Sequence, residues 1–463
     1  MGLVLGCGNA TNGAGEGDLI AAPVDGGAAD RTGAEDLAPG SDLATAPPEP
    51  PEPIPSSGAF GLGVASGDVT PERVMIQTRY DGKSPLQLWL FEMSGDAYVR
   101  RLAPLDVTPG DGGFVVLDVP GLTPSLRYRY CFVEVVGGKA IGRSPIGRFR
   151  AALGADELVP LSLGAVSCTK NDRAFDTIQR ASARADFATF LLLGDTTYND
   201  GAKSLADYRK KWAENFSTAA YRSLRQNLPV TATWDDHEVE NNWDPEKIGG
   251  NQLAAARQAF FENLPLRRDP QAPERLWRRL RWGRTLELFV LDCRGERKPS
   301  TRKTANAIYL SRAQMDWLKS GLKSSPAVFK VVMNSVPIAD FPLALDLAAD
   351  DRWEGYAAQR TEILEHIEKE SISGVLWVSG DFHIAAMGRV SNKGLGQYAV
   401  EVLAGPGAYL GNPLAFLLNA PQWDWAATTN NYTALHFEPQ GRTVRVAFHD
   451  AGDKIVAERS YRL

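Results

Sequence analysis

The chain, 463 residues long, reads as an α/β body of one or two sheets flanked by helices, preceded by a small all-β sandwich. Two observations predict this. Between residues 58 and 152, short apolar runs such as "VMIQTRY", "LQLWLFE", "GFVVLDV" and "RYRYCFVEV" alternate with turn residues at period two, as half-buried strands do. From 153 to 463, continuous apolar runs alternate with amphipathic ones, the pattern of buried strands separated by helices. A hydrophobic content of 44% is ordinary for a globular core.

The N-terminal segment stands apart. Residues 8 to 57 are mostly Gly, Ala, Pro, Asp and Glu with no aromatic side chain, so they bury too little apolar surface to offset chain entropy and read as a disordered tether covering residues 1–57. Nine acidic groups there against Arg31 alone give −8. The whole chain carries −6, which leaves the body near +2 and argues against a nucleic-acid-binding patch or a polybasic membrane face. The start "MGLVLGCGN" ends a short apolar run in Gly6-Cys7 and resembles a bacterial lipobox, implying an exported, periplasmic or cell-surface lipoprotein anchored at Cys7. The basic and longer apolar stretches of a signal peptide are missing, and a frayed cytoplasmic terminus is the alternative.

In the sandwich, "GLTPSLRYRYCF" resembles the Leu-x-Pro-x-x-x-Tyr stretch of immunoglobulin-like fibronectin type III domains, whose tyrosine bonds back to the backbone at a corner. Cys131 falls inside this strand as packing. In the α/β body the expected strands are "LSLGAVS", "FATFLLLG", "LPVTATW", "TLELFVLD", "VFKVVMN" and "GVLWVSG". The expected helices are "AFDTIQRASARAD", a long reach over 202–225, "QLAAARQAFFENL", "SRAQMDWLKSGL" and "AAQRTEILEHIEKE". The runs "YTALHFE", "TVRVAFHD" and "KIVAERSY" close the chain as an antiparallel meander.

The polar residues at the ends of the buried strands carry the chemistry. "LSLGAVS" leads to Cys168, "FLLLG" to Asp195, "LPVTATW" to Asp235, Asp236 and His237, and "VLWVSG" to Asp381 and His383. Ligands of open α/β sheets bind beyond the carboxyl ends of strands, so four strand ends aim metal-competent side chains at one rim. Crowded carboxylates repel unless cations neutralise them, and two neighbouring cations can clamp a phosphoryl group and activate water.

The ordered series "SC" at 167–168, "GDTTY" at 194–198, "TWDDHEVENN" at 233–242, "DRWEGYAAQR" at 351–360 and "SGDFH" at 379–383 resembles the motifs of PhoD-like alkaline phosphatases. "GVASGD" at 63–68 resembles the start of their preceding sandwich domain. The resemblance implies a metallophosphatase-like sheet sandwich and a phosphoric ester hydrolase that cleaves phosphomonoesters or phosphodiesters through a metal-bound hydroxide. It implies an Fe3+ site of Cys168, Asp195, Tyr198 and His383, and a Ca2+ site of Asp195, Asp236, Asn242 and Asp381. Thiolate, phenolate and imidazole suit a transition metal, and carboxylate and amide oxygens suit a hard cation. His237 would stabilise the phosphoryl oxygens or protonate the leaving group, with Asp235 orienting it. The choice between Asp235 and Asp236, and between Asn241 and Asn242, stays open. Arg294 either grips the substrate phosphate or pairs with Asp292 or another carboxylate.

Other residues are expected to be structural: Cys293, Trp353, Tyr356 and Arg360 in packing, His366 on a helix facing solvent or a partner, His436 and His449 without a role in the site. A phosphate ester substrate and a monomeric state are expected. Two departures matter: the Asp-x-His opening of general two-metal phosphoesterases is absent, and the C-terminal helix that covers the site in some relatives is expected to be missing, leaving room for bulky diesters. The alternatives are a phosphodiesterase acting on phospholipid head groups or teichoic acids, and a catalytically silent surface binding protein.

Overall fold

The structure, a computed structural model, describes residues 49–341, 351–412 and 421–463. Cys7 and the lipobox-like start lie outside the described residues. Among the described residues no helix is long and apolar enough to cross a membrane.

Two sheets pack face to face with helices outside. In the first, the parallel strands Leu161–Val166, Phe187–Leu192 and Val230–Ala232 are continued on one side by the antiparallel meander Asn431–Glu438, Thr443–Asp450 and Ile455–Arg462. In the second, Leu286–Val290, Phe329–Met333, Val375–Ser379 and Val400–Leu403 run parallel, edged by antiparallel Arg278–Trp282, Ala385–Arg389 and Trp423–Ala427. Alternation along one strand shows how the layers form: Leu286, Leu288 and Val290 join the core shared with Leu163 and Phe190, whereas Phe289 turns the other way. There it meets Met315, Leu318 and Leu322 of helix Arg312–Ser324 and Ile363 and Leu364 of helix Ala357–Lys369. Side chains on opposite faces of one strand thus build two cores.

The helical stretch 202–225 is two helices. Leu205–Phe216 starts at Ser204, whose side chain forms a capping box with Asp207, and it ends before Ser217. Thr218 then caps Ala219–Asn227, its hydroxyl accepting from the Tyr221 amide. A threonine that serves as an N-cap closes off the preceding helix. Likewise "AFDTIQRASARAD" forms helix only over Asp176–Ala181.

The all-β segment does not stand alone. Leu86–Ser94, Ala97–Arg101, Leu105–Val107, Arg127–Val136, Lys139–Arg143 and Gly147–Arg150 form a separate sheet. Val64–Gly67, Arg73–Arg79 and Phe114–Pro120 instead extend the first α/β sheet, with Val64–Gly67 lying parallel to Val230–Ala232 at Gly67 and Val230. The tyrosine corner is present: the Thr123 amide donates to Tyr128 Oη at 2.6 Å. Residues 49–57, placed in the tether by composition, run along this sheet. Ser57 donates to the Arg143 carbonyl and the Arg143 amide to Pro55, both backbone bonds that composition does not register.

Candidate metal centre

The carboxyl ends of three parallel strands of the first sheet and one of the second supply the site. Cys168 follows Val166, Asp195 follows Leu192, Asp235 and Asp236 follow Ala232, and Asp381 and His383 follow Ser379. The backbone there is unusual: Cys168, Asp195, Asn242, Asp381 and His383 have φ of 56°, 53°, 53°, 64° and 54°. Left-handed conformations in non-glycine residues are sparsely populated and persist where surrounding structure enforces them. At this rim they turn five donor side chains inward.

One enforcing element is Glu238. Its buried carboxylate accepts from the backbone amides of Asp195 (3.0 Å), Thr196 (2.6 Å) and Asp235 (2.8 Å), lacing two strand ends together. Gly194, with φ of 102°, lets the chain pass Asp235 closely; a Cβ there would lie 2.5 Å from the Asp235 side chain.

Three donor groups result, each with its ligand atoms within 4.8 Å of one another: Cys168, Asp195 and His383; Asp195, Asp236 and His237; Asp235, Asp236 and Asp381. Asp195 and Asp236 are shared between groups. Asp195 Oδ2 is approached by Cys168 Sγ at 3.6 Å and Tyr198 Oη at 3.3 Å, and Tyr198 Oη lies 3.5 Å from His383 Nε2. Tyr409 stacks on Tyr198 with centroids 5.0 Å apart and lies against His383 at 4.2 Å with the rings tilted by 39°, holding both rings. Of the two asparagines, Asn242 is the one beside the carboxylates; its side-chain amide lies 3.1 Å from Asp351 Oδ2 and 3.3 Å from Asp236 Oδ2. Asn241 instead uses its backbone N–H on Asp200.

The electrostatics fit cations. Burial pushes the Asp195 carboxyl well above the usual range, and the charges of Asp236, Asp235, Glu238 and Asp381 push the same way. Asp381 is likewise raised by burial and Asp235, against the pull of Arg294. Asp236 is held at about 2, because Arg294, His237 and the Asn242 amide outweigh its burial. Burial, then the charge of Asp195, raises the Cys168 thiol and the Tyr198 phenol well above their ordinary values. Asp235 Oδ2 is buried and, among the described residues, accepts no hydrogen bond. An orphaned carboxylate oxygen within a cluster that resists full ionisation is what a bound cation relieves. The donor set therefore fits metal ions. Burial and the nearby charge of His237 bring His383 to about 4, so its ring is neutral near pH 7, the form that ligates.

Two expectations change. Asp235 does not orient His237; Asp200 does, its carboxylate meeting His237 Nδ1 at 2.8 and 3.0 Å. Asp235 is committed to Arg294 Nε at 2.6 Å. Nor can Arg294 grip a substrate: it is 1% exposed, and its nitrogens are spent on Asp235, Asp351 and, at 2.9 Å, Asp381. It supplies buried positive charge to the carboxylates. Asp292 takes no part of that guanidinium, accepting instead from Trp234 Nε1 at 2.7 Å. Sequence reasoning missed Asp200, Glu238, Asp351 and Tyr409. The first three lay in or next to the quoted motifs as extra carboxylates, but Tyr409 carried no signal.

The remaining residues are structural. Trp353 and Tyr356 are buried in the helix-side core, Arg360 Nε donates to the Ile338 carbonyl, and His366 Nε2 meets the Lys319 carbonyl of the neighbouring helix. Cys131 and Cys293 are buried and free. His436 and His449 lie in the meander, with Ser162 and Asp453 as partners.

The sequence pattern of the PhoD-like phosphatase family matches residues 163–437, and that of its N-terminal domain matches 44–153. This chain belongs to the PhoD-like phosphatase family. Alkaline phosphatase D of Bacillus subtilis (strain 168) is 28% identical over 385 residues, an alignment covering 71% of this chain and 65% of that protein's length. Among solved structures, PhoD superposes with a TM-score of 0.75 at 22% identity, covering 88% of this chain and 91% of that one. Purple acid phosphatase PPD1 from yellow lupin (Lupinus luteus) seeds follows at 0.62 and 12% identity, covering 86% and 73%. These likenesses bear on the fold, a metallophosphatase sheet sandwich.

Proposed function

We propose that this chain is a metal-dependent phosphoric ester hydrolase acting on phosphomonoesters, phosphodiesters or both. The observation that carries the proposal is the convergence of three donor groups that share Asp195 and Asp236. The name of the Bacillus subtilis relative, alkaline phosphatase D, agrees with it. Within the proposal, Cys168, Asp195, Tyr198 and His383 hold a transition metal, which thiolate, phenolate and imidazole together suit, and the family resemblance points to iron(III). Asp195, Asp236, Asn242 and Asp381 hold calcium. Bound cations supply charge neutralisation at the phosphoryl oxygens and acidify water.

The chain's own groups do the rest. His237, fixed through Nδ1 by Asp200, has a ring nitrogen within 4.8 Å of Asp195 and Asp236 ligand oxygens, and in this reading the ring nitrogen left free by Asp200 donates to a phosphoryl or leaving-group oxygen. Burial alone would discharge this ring, but the Asp200 bond and the charges of Asp236 and Asp200 raise its pKa and favour the proton-bearing form. Arg294 favours the ionised forms of Asp236 and Asp351 without touching substrate.

Metal content of the natively purified protein, measured alongside hydrolysis of a chromogenic monoester and a bis-ester, tests the proposal. Iron and calcium in stoichiometric amounts with chelator-sensitive turnover are expected; full turnover after complete stripping would refute it. The mono-ester to bis-ester ratio decides the substrate class.

A further inference from the structure

At the opposite end of the first sheet, by the amino ends of Leu161–Val166 and Phe187–Leu192, lies a cavity of about 730 Å³ between that sheet and the sandwich sheet. One wall is a square of arginines. Strand Arg127–Val136 pairs antiparallel with Gly147–Arg150, setting Arg127 opposite Arg150 and Arg129 opposite Arg148. Like charges directly opposite across strands are destabilising. Arg129 is covered by Glu52 at 3.3 Å and Asp96 at 3.6 Å. Among the described residues, Arg127, Arg148 and Arg150 have no carboxylate within ion-pair distance; Arg148 and Arg150 spend Nε on the Asn227 and Ser125 carbonyls, at 3.3 and 2.8 Å. Burial and the charges of Arg129 and Arg127 draw the Arg148 pKa down, the mark of a cation without a counter-ion.

The facing wall is polar. Ser162, His436, Arg445 and Ser460 lie in one cross-strand row, and all four line the cavity. In total five lining arginines (127, 129, 148, 150 and 445) face three lining carboxylates, Asp96, Asp186 and Glu438, a surplus of two positive charges. Asp186 is already occupied by Arg184 at 2.8 Å, and Arg445 by Glu458 at 2.5 Å. The volume lies in the range of small-molecule sites and far exceeds one phosphate. Leu161, Phe187 and Trp282 add apolar lining.

We propose that this cavity is a second, non-catalytic site for a dianionic phosphate group, carried either by inorganic phosphate or by an organic phosphate whose apolar part lies along Leu161 and Phe187. Guanidinium forks match phosphate oxygens in pairs, and a dianion balances the surplus. The site is independent of the metal centre, which occupies the other end of the same strands.

Isothermal titration of the full metal-replete chain with inorganic phosphate and, separately, with non-hydrolysable phenylphosphonate tests this. Two binding events are expected. His383→Ala should remove one, and Arg148→Gln with Arg150→Gln should weaken the other at least tenfold while leaving turnover of a chromogenic ester unchanged. Glu438→Gln should tighten it. Tighter binding of phenylphosphonate than of phosphate at this site identifies the organic source, and the reverse identifies free phosphate. A single binding event in the parent protein, or two events undisturbed by the arginine substitutions in a protein with native circular dichroism, overturns the proposal.

Discussion

At the scale of single residues, the site is a problem of competing charges. Asp195 lies within reach of a thiol, a phenol, an imidazole and Asp236, and neither ionisation nor protonation satisfies all of them at once. Second contacts settle which residue does what. Asp235 and Asp236 are adjacent in the chain, yet Asp235 answers to Arg294 while Asp236 accepts from the backbone amides of His237 and Asn242. His237 depends on Asp200, which bonds to that ring and to none of the proposed metal ligands. Asp200→Asn should therefore lower kcat by about 10²-fold, the scale of a lost general acid, with metal content unchanged. Metal analysis beside steady-state kinetics checks it, and a parallel loss of metal would show that Asp200 acts through the ligands instead.

At the scale of elements, strand ends converge because a single side chain ties them. Glu238 ties the turns after Phe187–Leu192 and Val230–Ala232, and the left-handed backbone at Asp195 lies within that tie. Replacing Glu238 by Ala leaves three buried amides without their acceptor, a cost of about 3 kcal/mol or more. Loosened outer contacts of a metal site also weaken metal binding by roughly 10–100-fold. Denaturant melts and competition with a chelator measure the two effects, and retained metal affinity would assign Glu238 to stability alone. The helical break at Thr218 is of the same kind: a single cap divides what periodicity reads as one helix.

At the scale of the whole molecule, the sandwich strands and the α/β body are continuous. Asp68, buried at the end of Val64–Gly67, pairs with Arg278 of the second sheet at 2.6 Å, so "GVASGD" ties layers together. A Cβ at Gly67 would lie 2.3 Å from the Val230 carbonyl oxygen. Gly67→Val should cost ~3 kcal/mol by overpacking and lower the melting temperature of the entire described body in one calorimetric transition; a separate early transition would mean that the sandwich folds by itself.

The closing meander adds a pH dependence. Burial, with the charge of Arg445, lowers His436 from its ordinary value to about 4. Above the unfolded pKa near 6.5 the ring is neutral in both states. As pH falls from there towards 4 the unfolded chain takes up a proton that the folded one refuses, and stability is lost across that window. His436→Asn should flatten that part of the melting-temperature profile.

Local pattern was enough to locate six core strands of the α/β body, its closing meander and the family, because period, turn residues and motif order are written in neighbouring positions; the strands Arg278–Trp282, Ala385–Arg389, Val400–Leu403 and Trp423–Ala427 and the helix break at Thr218 were not read from it. It also placed the tyrosine corner, where Tyr128 and Thr123 are five residues apart. Packing in three dimensions was needed to make Arg294 a buried counter-ion, to set Asp200 against His237, to stack Tyr409 on Tyr198 and to join the sandwich strands to the α/β sheet. Each depends on segments tens to hundreds of residues apart meeting with a given side chain turned inward. That choice is made by close packing and charge compensation, which no local periodicity records.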